Sequence, residues 1–269
     1  MRFVFFLGIP LVSLSALQEK PWLADPYSFE LYTDFAYSRY QTINHAVQQP
    51  AYPYHNYVTD VAISFTPSPQ IDAEVEVNLA RTPHQTYGFR SAAIQARYLV
   101  LDDIAGDPIS LVLGGNMRGV TARAVRDVSC PYGSYLNAEV TLFLGKETSH
   151  EGDWLYRWYV GGALLGVANH GLPWNRYLTA FETRFSRHAL KVFSLGYFGY
   201  GKHKKVSIDH FHGWAPIHHS SIDIGAQYRY EFFLYGELGL SYAYRLWARS
   251  YPEREQTLVL SYTLPFSLF

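Results

Sequence analysis

The stretch Ile71-Asp72-Ala73-Glu74-Val75-Glu76-Val77-Asn78-Leu79-Ala80-Arg81 decides the fold. Ile71, Ala73, Val75, Val77 and Leu79 oppose Asp72, Glu74, Glu76, Asn78 and Ala80, a period of two that gives a strand one greasy face and one acidic face. Residues 222–232 repeat the pattern, with Ile222, Ile224, Ala226, Tyr228 and Tyr230 against Asp223, Gly225, Gln227, Arg229 and Glu231. So do residues 258–269, where Leu258, Leu260, Tyr262, Leu264 and Phe266 share one face. Working outward from these, alternation predicts about twelve strands: 29–40, 57–66, 71–81, 88–101, 109–120, 135–145, 154–167, 177–185, 189–200, 220–232, 234–247 and 257–266. Most are near the length at which a tilted strand crosses a bilayer, roughly 9–11 residues.

The connections separate two architectures that both alternate. Joins after even-numbered strands are short: 67–70, 102–108, 146–153, 186–188 and 232–233. Joins after odd-numbered strands are mostly long: 41–56, 121–134, 168–176, 201–219 and 248–256. Tight turns on one side and long loops on the other suit a membrane barrel. A secreted sandwich, the soluble alternative, has no need of that asymmetry. An even strand count also places both termini on the tight-turn side.

Composition agrees. Aromatic residues make up 17% of the chain, with 23 Tyr and 6 Trp, enough for girdles at two membrane interfaces. Mean hydropathy is −0.10, as expected when the apolar half is hidden in alternation. Arg2, the apolar run 3–12 and the small residues Ser13, Ser15 and Ala16 have the layout of a secretory signal peptide over 1–16, leaving a single domain over 17–269. With its alternating final strand and terminal Phe269, the chain resembles bacterial outer-membrane β-barrel proteins of the porin-like superfamily, whose last strand commonly finishes on an aromatic residue. The resemblance implies an all-β, antiparallel transmembrane β-barrel of about 12 strands, with short periplasmic turns and long extracellular loops. It also implies the outer membrane of a Gram-negative bacterium, in contact with outer-membrane lipid and lipopolysaccharide. One detail is out of phase: Phe269 falls on the face of Ser267 and Pro265 unless a bulge at Pro265 resets the register.

In such a barrel the polar face lines the lumen. That assigns Glu30, Asp34, Asp60, Asp72, Glu74 and Glu76 to an acidic arc. Arg97, Arg118, Arg157, Arg184, Arg229 and Arg245 form an arginine-rich arc, with Glu139, Glu182, Asp223, Glu231 and Glu237 among them. Opposed arcs would set up a transverse field that selects small polar solutes diffusing passively through the pore. The same charges could instead pair across a narrow lumen and fill it. Neither reading requires a catalytic group, cofactor or metal, and a net charge of −1 gives no pull toward nucleic acid.

Three features suggest other roles. Loop 201–219 carries Lys202, Lys204 and Lys205 with five histidines (203, 210, 212, 218 and 219), which reads as a solvated basic loop suited to lipopolysaccharide phosphates, with metal binding the lesser alternative. His218 and Ser220 alternate onto the lipid side. Outer-membrane phospholipase and lipid A deacylase barrels are similar in carrying a His-x-Ser pair near the outer rim, which implies a lipid hydrolase as the alternative function. A non-transport barrel, acting as adhesin or envelope scaffold through its loops, is the third. Cys130, the lone cysteine, is expected in an outer loop, either oxidisable or unmodified. Oligomerisation leaves no readable mark in the sequence.

Overall fold

A computed structural model describes residues 19–150, 153–233 and 235–266. The expected signal peptide, 1–16, and Phe269 lie outside the described residues. Twelve strands close into one antiparallel barrel: β1 (Phe29–Tyr40), β3 (Tyr54–Ser68), β4 (Ile71–Thr82), β5 (Gln85–Leu101), β6 (Ser110–Val120), β7 (Leu136–His150), β8 (Asp153–Ala168), β9 (Trp174–Phe185), β10 (His188–Tyr200), β11 (His218–Glu231), β12 (Glu237–Arg249) and β14 (Gln256–Phe266). Each pairs with its sequence neighbour in the barrel, and β1 closes the ring against β14. Two-residue strands β2 (Thr42–Ile43) and β13 (Pro252–Glu253) pair within the loops. The short helix α1 (Ala122–Val125) is capped by the Thr121 side chain, which accepts from the Ala124 amide.

All twelve expected strands are present, with ends displaced by a few residues. The largest displacement is at the end of β7, which continues to His150 where a loop over 146–153 was expected, so that β8 follows almost at once from Asp153. In β4 the outward side chains Ile71, Val75 and Val77 are exposed, whereas Asp72, Glu74, Glu76 and Asn78 are buried. Apolar outside and charged inside inverts the arrangement of a water-soluble protein and suits lipid around the wall. The β1–β14 ladder runs unshifted from Arg39↔Gln256 to Phe29↔Phe266, with Pro265 opposite Glu30. The bulge at Pro265 that would rephase the C-terminus is therefore not present.

Bulges elsewhere re-aim side chains. Between β4 and β5 the register shifts after Asn78: Asn78 opposes Ser91, and Leu79 opposes Phe89. Arg90 is the extra residue. It and Ser91 are consecutive yet both buried inside the barrel.

Candidate functional site: a charged lumen narrowed at both ends

The inner wall is a set of ion pairs. Asp72, opposite Arg97 in the ladder, accepts from its Nε at 3.0 Å, and Glu76 accepts from Arg118 Nη1 at 2.5 Å. Glu182 is a hub: it accepts from Arg157 Nε at 2.8 Å, Arg229 Nη2 at 2.7 Å and the Tyr159 hydroxyl at 2.9 Å. Arg229 also reaches Glu237, and Arg184 reaches Glu231 at 2.5 Å. Asp223 holds Arg245 in a two-pronged contact of 2.7 and 2.9 Å, with Glu255 at 2.6 Å on the same guanidinium. A further pair joins Glu139 to Arg176 by 3.0 and 2.7 Å contacts.

Of the positions assigned to the lumen, Asp60, Asp72, Glu74, Glu76, Arg97, Arg118, Arg157 and Arg245 are buried, and Glu30, Asp34, Arg184 and Arg229 are half-buried. All six arginines on that roster have carboxylate partners. Asp72, Glu74, Glu76 and Arg97 are at most 2% exposed, so side chains rather than a water column fill that part of the lumen. Isolated buried charges are costly, and pairing them offsets much of that cost.

One row of the wall is different. Asp34 lies opposite Asp60, Asp60 opposite Asn78, and Asn78 opposite Ser91. Tyr132, from the loop between β6 and β7, points in above this row. Its hydroxyl accepts from Arg90 Nε at 3.1 Å and hydrogen-bonds the Ser91 hydroxyl at 3.0 Å. The guanidinium carbons of Arg90 and Arg118 stand 4.9 and 5.6 Å from its ring centroid, within cation–π range.

At the long-loop end, segments from four loops interlock at the rim of the lumen. Val128, Phe211, Trp214, Ile217 and Tyr251 pack with Tyr40 in one buried cluster. Trp214, fully buried, donates its indole N–H to the Cys130 carbonyl at 2.9 Å and lies 4.4 Å from the Tyr251 ring. Gly213 has a positive φ of 86°, and a Cβ there would meet the Gly133 carbonyl at 2.2 Å, so glycine lets this loop seat on the neighbouring one. Loop 201–217 therefore forms part of a lid, where a solvated loop was expected. Its lysines are exposed while Phe211 and Trp214 face inward.

At the tight-turn end, segment 19–22 enters the lumen. Phe143, Tyr159, Leu178 and Phe193 make an apolar patch on the inner wall, and Trp22 covers it. The Trp22 indole donates to Asp103 at 3.0 Å, and its ring meets Tyr159 edge-on. Deeper in, the Lys20 carbonyl accepts from Arg97 Nη1 at 3.1 Å and Glu19 pairs with Arg176 at 2.6 Å. The lumen's low dielectric pulls the Lys20 ammonium below its ordinary value, with Glu30 opposing. Between the two caps lies a cavity of about 190 Å³ touching Glu19, Asp60, Asn78, Arg90, Tyr132 and Tyr251.

The other sequence candidates fall differently. Cys130, of the two alternatives left open for it, oxidisable or unmodified, sits as a buried thiol: it is 1% exposed, packed with Val120, Ala124, Val125 and Tyr132, and burial pushes its thiol well up. Among the described residues no three His, Cys or acidic side chains converge on a metal-sized site. The His218 ring lies 4.1 Å from that of His203, Ser220 is 5% exposed, and no hydrogen bond joins His218 to Ser220 among the described residues. Ser220, expected on the lipid side, is buried instead. Sequence reasoning missed Arg90, Trp22, Tyr132 and Trp214. Arg90 had a signal: strict alternation would have left a bare arginine on the lipid face, a costly placement that a bulge relieves.

No family model and no curated protein sequence matches the chain. Solved structures do match. The COG4313 outer membrane channel from Pseudomonas putida F1 superposes with a TM-score of 0.67 at 10% identity, over 91% of this chain and 98% of that one. The NanC porin gives 0.55 at 10% identity, over 86% and 98%. The KdgM porin, solved in complex with disordered oligogalacturonate, gives 0.50 at 8% identity, over 87% and 99%. The twelve-stranded fold of this chain is that of bacterial outer-membrane porins and channels.

Proposed function

We propose that the protein is a porin-like channel of the Gram-negative outer membrane, through which small polar solutes diffuse passively once segment 19–22 leaves the lumen. The carrying observation is the inner wall. Its charged side chains surround a cavity between two caps, and the inner cap is a short chain segment held by one tryptophan and a few polar contacts. The presence of an anionic sugar chain with one barrel of this fold, KdgM, is in keeping with polar solutes. In this reading residues 1–16 are removed on export. The long loops face outward, with Lys202, Lys204 and Lys205 available to lipopolysaccharide phosphates. The roster from Glu30 to Arg245 sets which solutes pass.

Swelling of proteoliposomes in a small sugar tests this. The intact barrel should admit the sugar slowly and Trp22→Ala should admit it faster. If both match empty liposomes, the channel reading fails and the scaffold reading takes its place. Replacing Arg157 and Arg229 with alanine should lower anion permeability in planar bilayers, and unchanged current and selectivity would exclude them from the filter.

A further inference from the structure

Four guanidinium groups and six carboxylates line the central cavity. Three of the arginines, Arg118, Arg176 and Arg245, are paired with carboxylates. Arg90 makes no ion pair among the described residues. Its Nε is taken by the Tyr132 hydroxyl, while its Nη1 is buried without a hydrogen-bond partner although the side chain is only 1% exposed. Across the row sit Asp34 and Asp60, two carboxyl groups on cross-strand partners, and neither makes an ion pair among the described residues. Asp60 accepts from Asn78 on one oxygen; its Oδ2 and the Asn78 carbonyl oxygen are buried and unpartnered. Buried polar atoms without partners are rare in native structures and costly to leave so. Arg90, Asp60 and Asn78, which carry these unpartnered atoms, line one cavity, Arg90 two strands from Asp60, about 10 Å at the backbone, with Asn78 on the strand between.

The charge pattern selects the ligand. A plain anion at Arg90 would meet a wall that already carries more carboxylates than guanidinium groups. A plain cation at Asp60 would leave the Arg90 charge unanswered. An uncharged solute would answer neither. We propose that the cavity binds small zwitterions of the amino-acid type, carboxylate on Nη1 of Arg90 and ammonium on Oδ2 of Asp60 with the Asn78 carbonyl. This rests on the channel reading and names its solute class. The β5 bulge makes the site, since without it Arg90 would face lipid.

Calorimetric titration of the full chain in detergent with L-alanine, lactate and ethylamine tests it. Lactate replaces the ammonium by a hydroxyl, and ethylamine lacks the carboxylate. Alanine should bind about tenfold or more tighter than either, because each loses one charged contact. Asp60→Asn should make alanine and lactate equal, and Arg90→Gln should abolish binding of both. Arg90→Lys, which keeps the charge, should retain part of the alanine affinity, and heat-modifiable electrophoretic mobility should report that each variant is folded. Lactate binding as well as alanine to the native protein, alanine binding indifferent to both substitutions, or no binding of any probe would each overturn the proposal. Proteoliposome swelling with Trp22→Ala keeps the two readings apart. Swelling without binding sinks the zwitterion site alone, and binding without swelling sinks the channel.

Discussion

The two ends of the lumen are narrowed by different means. At the long-loop end, loops far apart in sequence contribute to one apolar cluster, and backbone contacts tie them together: the Trp214 and Ala215 amides to the Tyr132 and Gly133 carbonyls, and β2 to β13. At the tight-turn end a single segment lies against a wall patch, held by the Trp22 indole, a backbone carbonyl and one glutamate. The first cap is built like a small protein core, and its removal would dismantle loops from all round the barrel. The second could withdraw with every strand in place. Elements that move in gating are drawn from the less cooperative parts of a fold, so under the proposed channel reading a gate belongs at the tight-turn end.

The largest effect should follow from attacking the core-like cap. Trp214→Ala deletes a fully buried indole and leaves the Cys130 carbonyl without its donor; truncating a buried tryptophan costs about 3–5 kcal/mol. Thermal unfolding by heat-modifiable mobility should show a clearly lower midpoint. A midpoint within error of the parent would mean that this cap is loosely held and the contrast is false. Trp22→Ala should do the opposite. Losing the indole donor and the stacking of Arg157, whose guanidinium carbon lies 4.9 Å from the Trp22 ring, shifts closure by about 1.5–3 kcal/mol, or roughly tenfold or more in flux. The melting midpoint should barely move. Equal losses of stability from both substitutions would erase the distinction.

The same contrast predicts the reactivity of Cys130. Because the thiol lies under the long-loop cap with its ionisation suppressed by burial, maleimide should label it only after unfolding. Trp214→Ala should admit the reagent in the native barrel, and Trp22→Ala should not. Rapid labelling of the parent would show the loop cluster open on the time scale of the reaction.

The wall was legible in sequence and the caps were not. Ile71 to Thr82 declares its two faces because a period of two depends only on residue identity, and the lumen charges follow from it. Their pairing needs register: Asp72 meets Arg97 because β4 and β5 are held at one particular offset. Arg90 defeated the reading because one inserted residue inverts the alternation locally, without a proline or glycine to mark it. Trp22 defeated it because its resting place is a patch assembled from Phe143, Tyr159, Leu178 and Phe193, on four different strands. Loop 201–219 was read from its lysines and histidines, while Phe211 and Trp214, three residues apart among them, carried the packing.

The smallest expected effect lies in the gate's own titration. Lys20 enters the lumen with segment 19–22, and desolvation there lowers its ammonium from the ordinary 10.5, Glu30 acting against the shift. A withdrawn segment would restore the ordinary value. The inserted state therefore binds the proton less tightly than the withdrawn one. Below the depressed value both states are protonated, and insertion bears the full cost of burying the charge. As pH rises from there toward 10.5 the inserted lysine is already neutral, so insertion gains; above 10.5 both are neutral and nothing further changes. Solute flux should thus fall as pH is raised through that window and level off beyond it. Lys20→Met should remove the slope and resemble the parent at high pH. A slope that survives in Lys20→Met, or that runs the other way, would mean that the inner cap does not open by withdrawing Lys20 into water, and the gate would have to be sought among the loops.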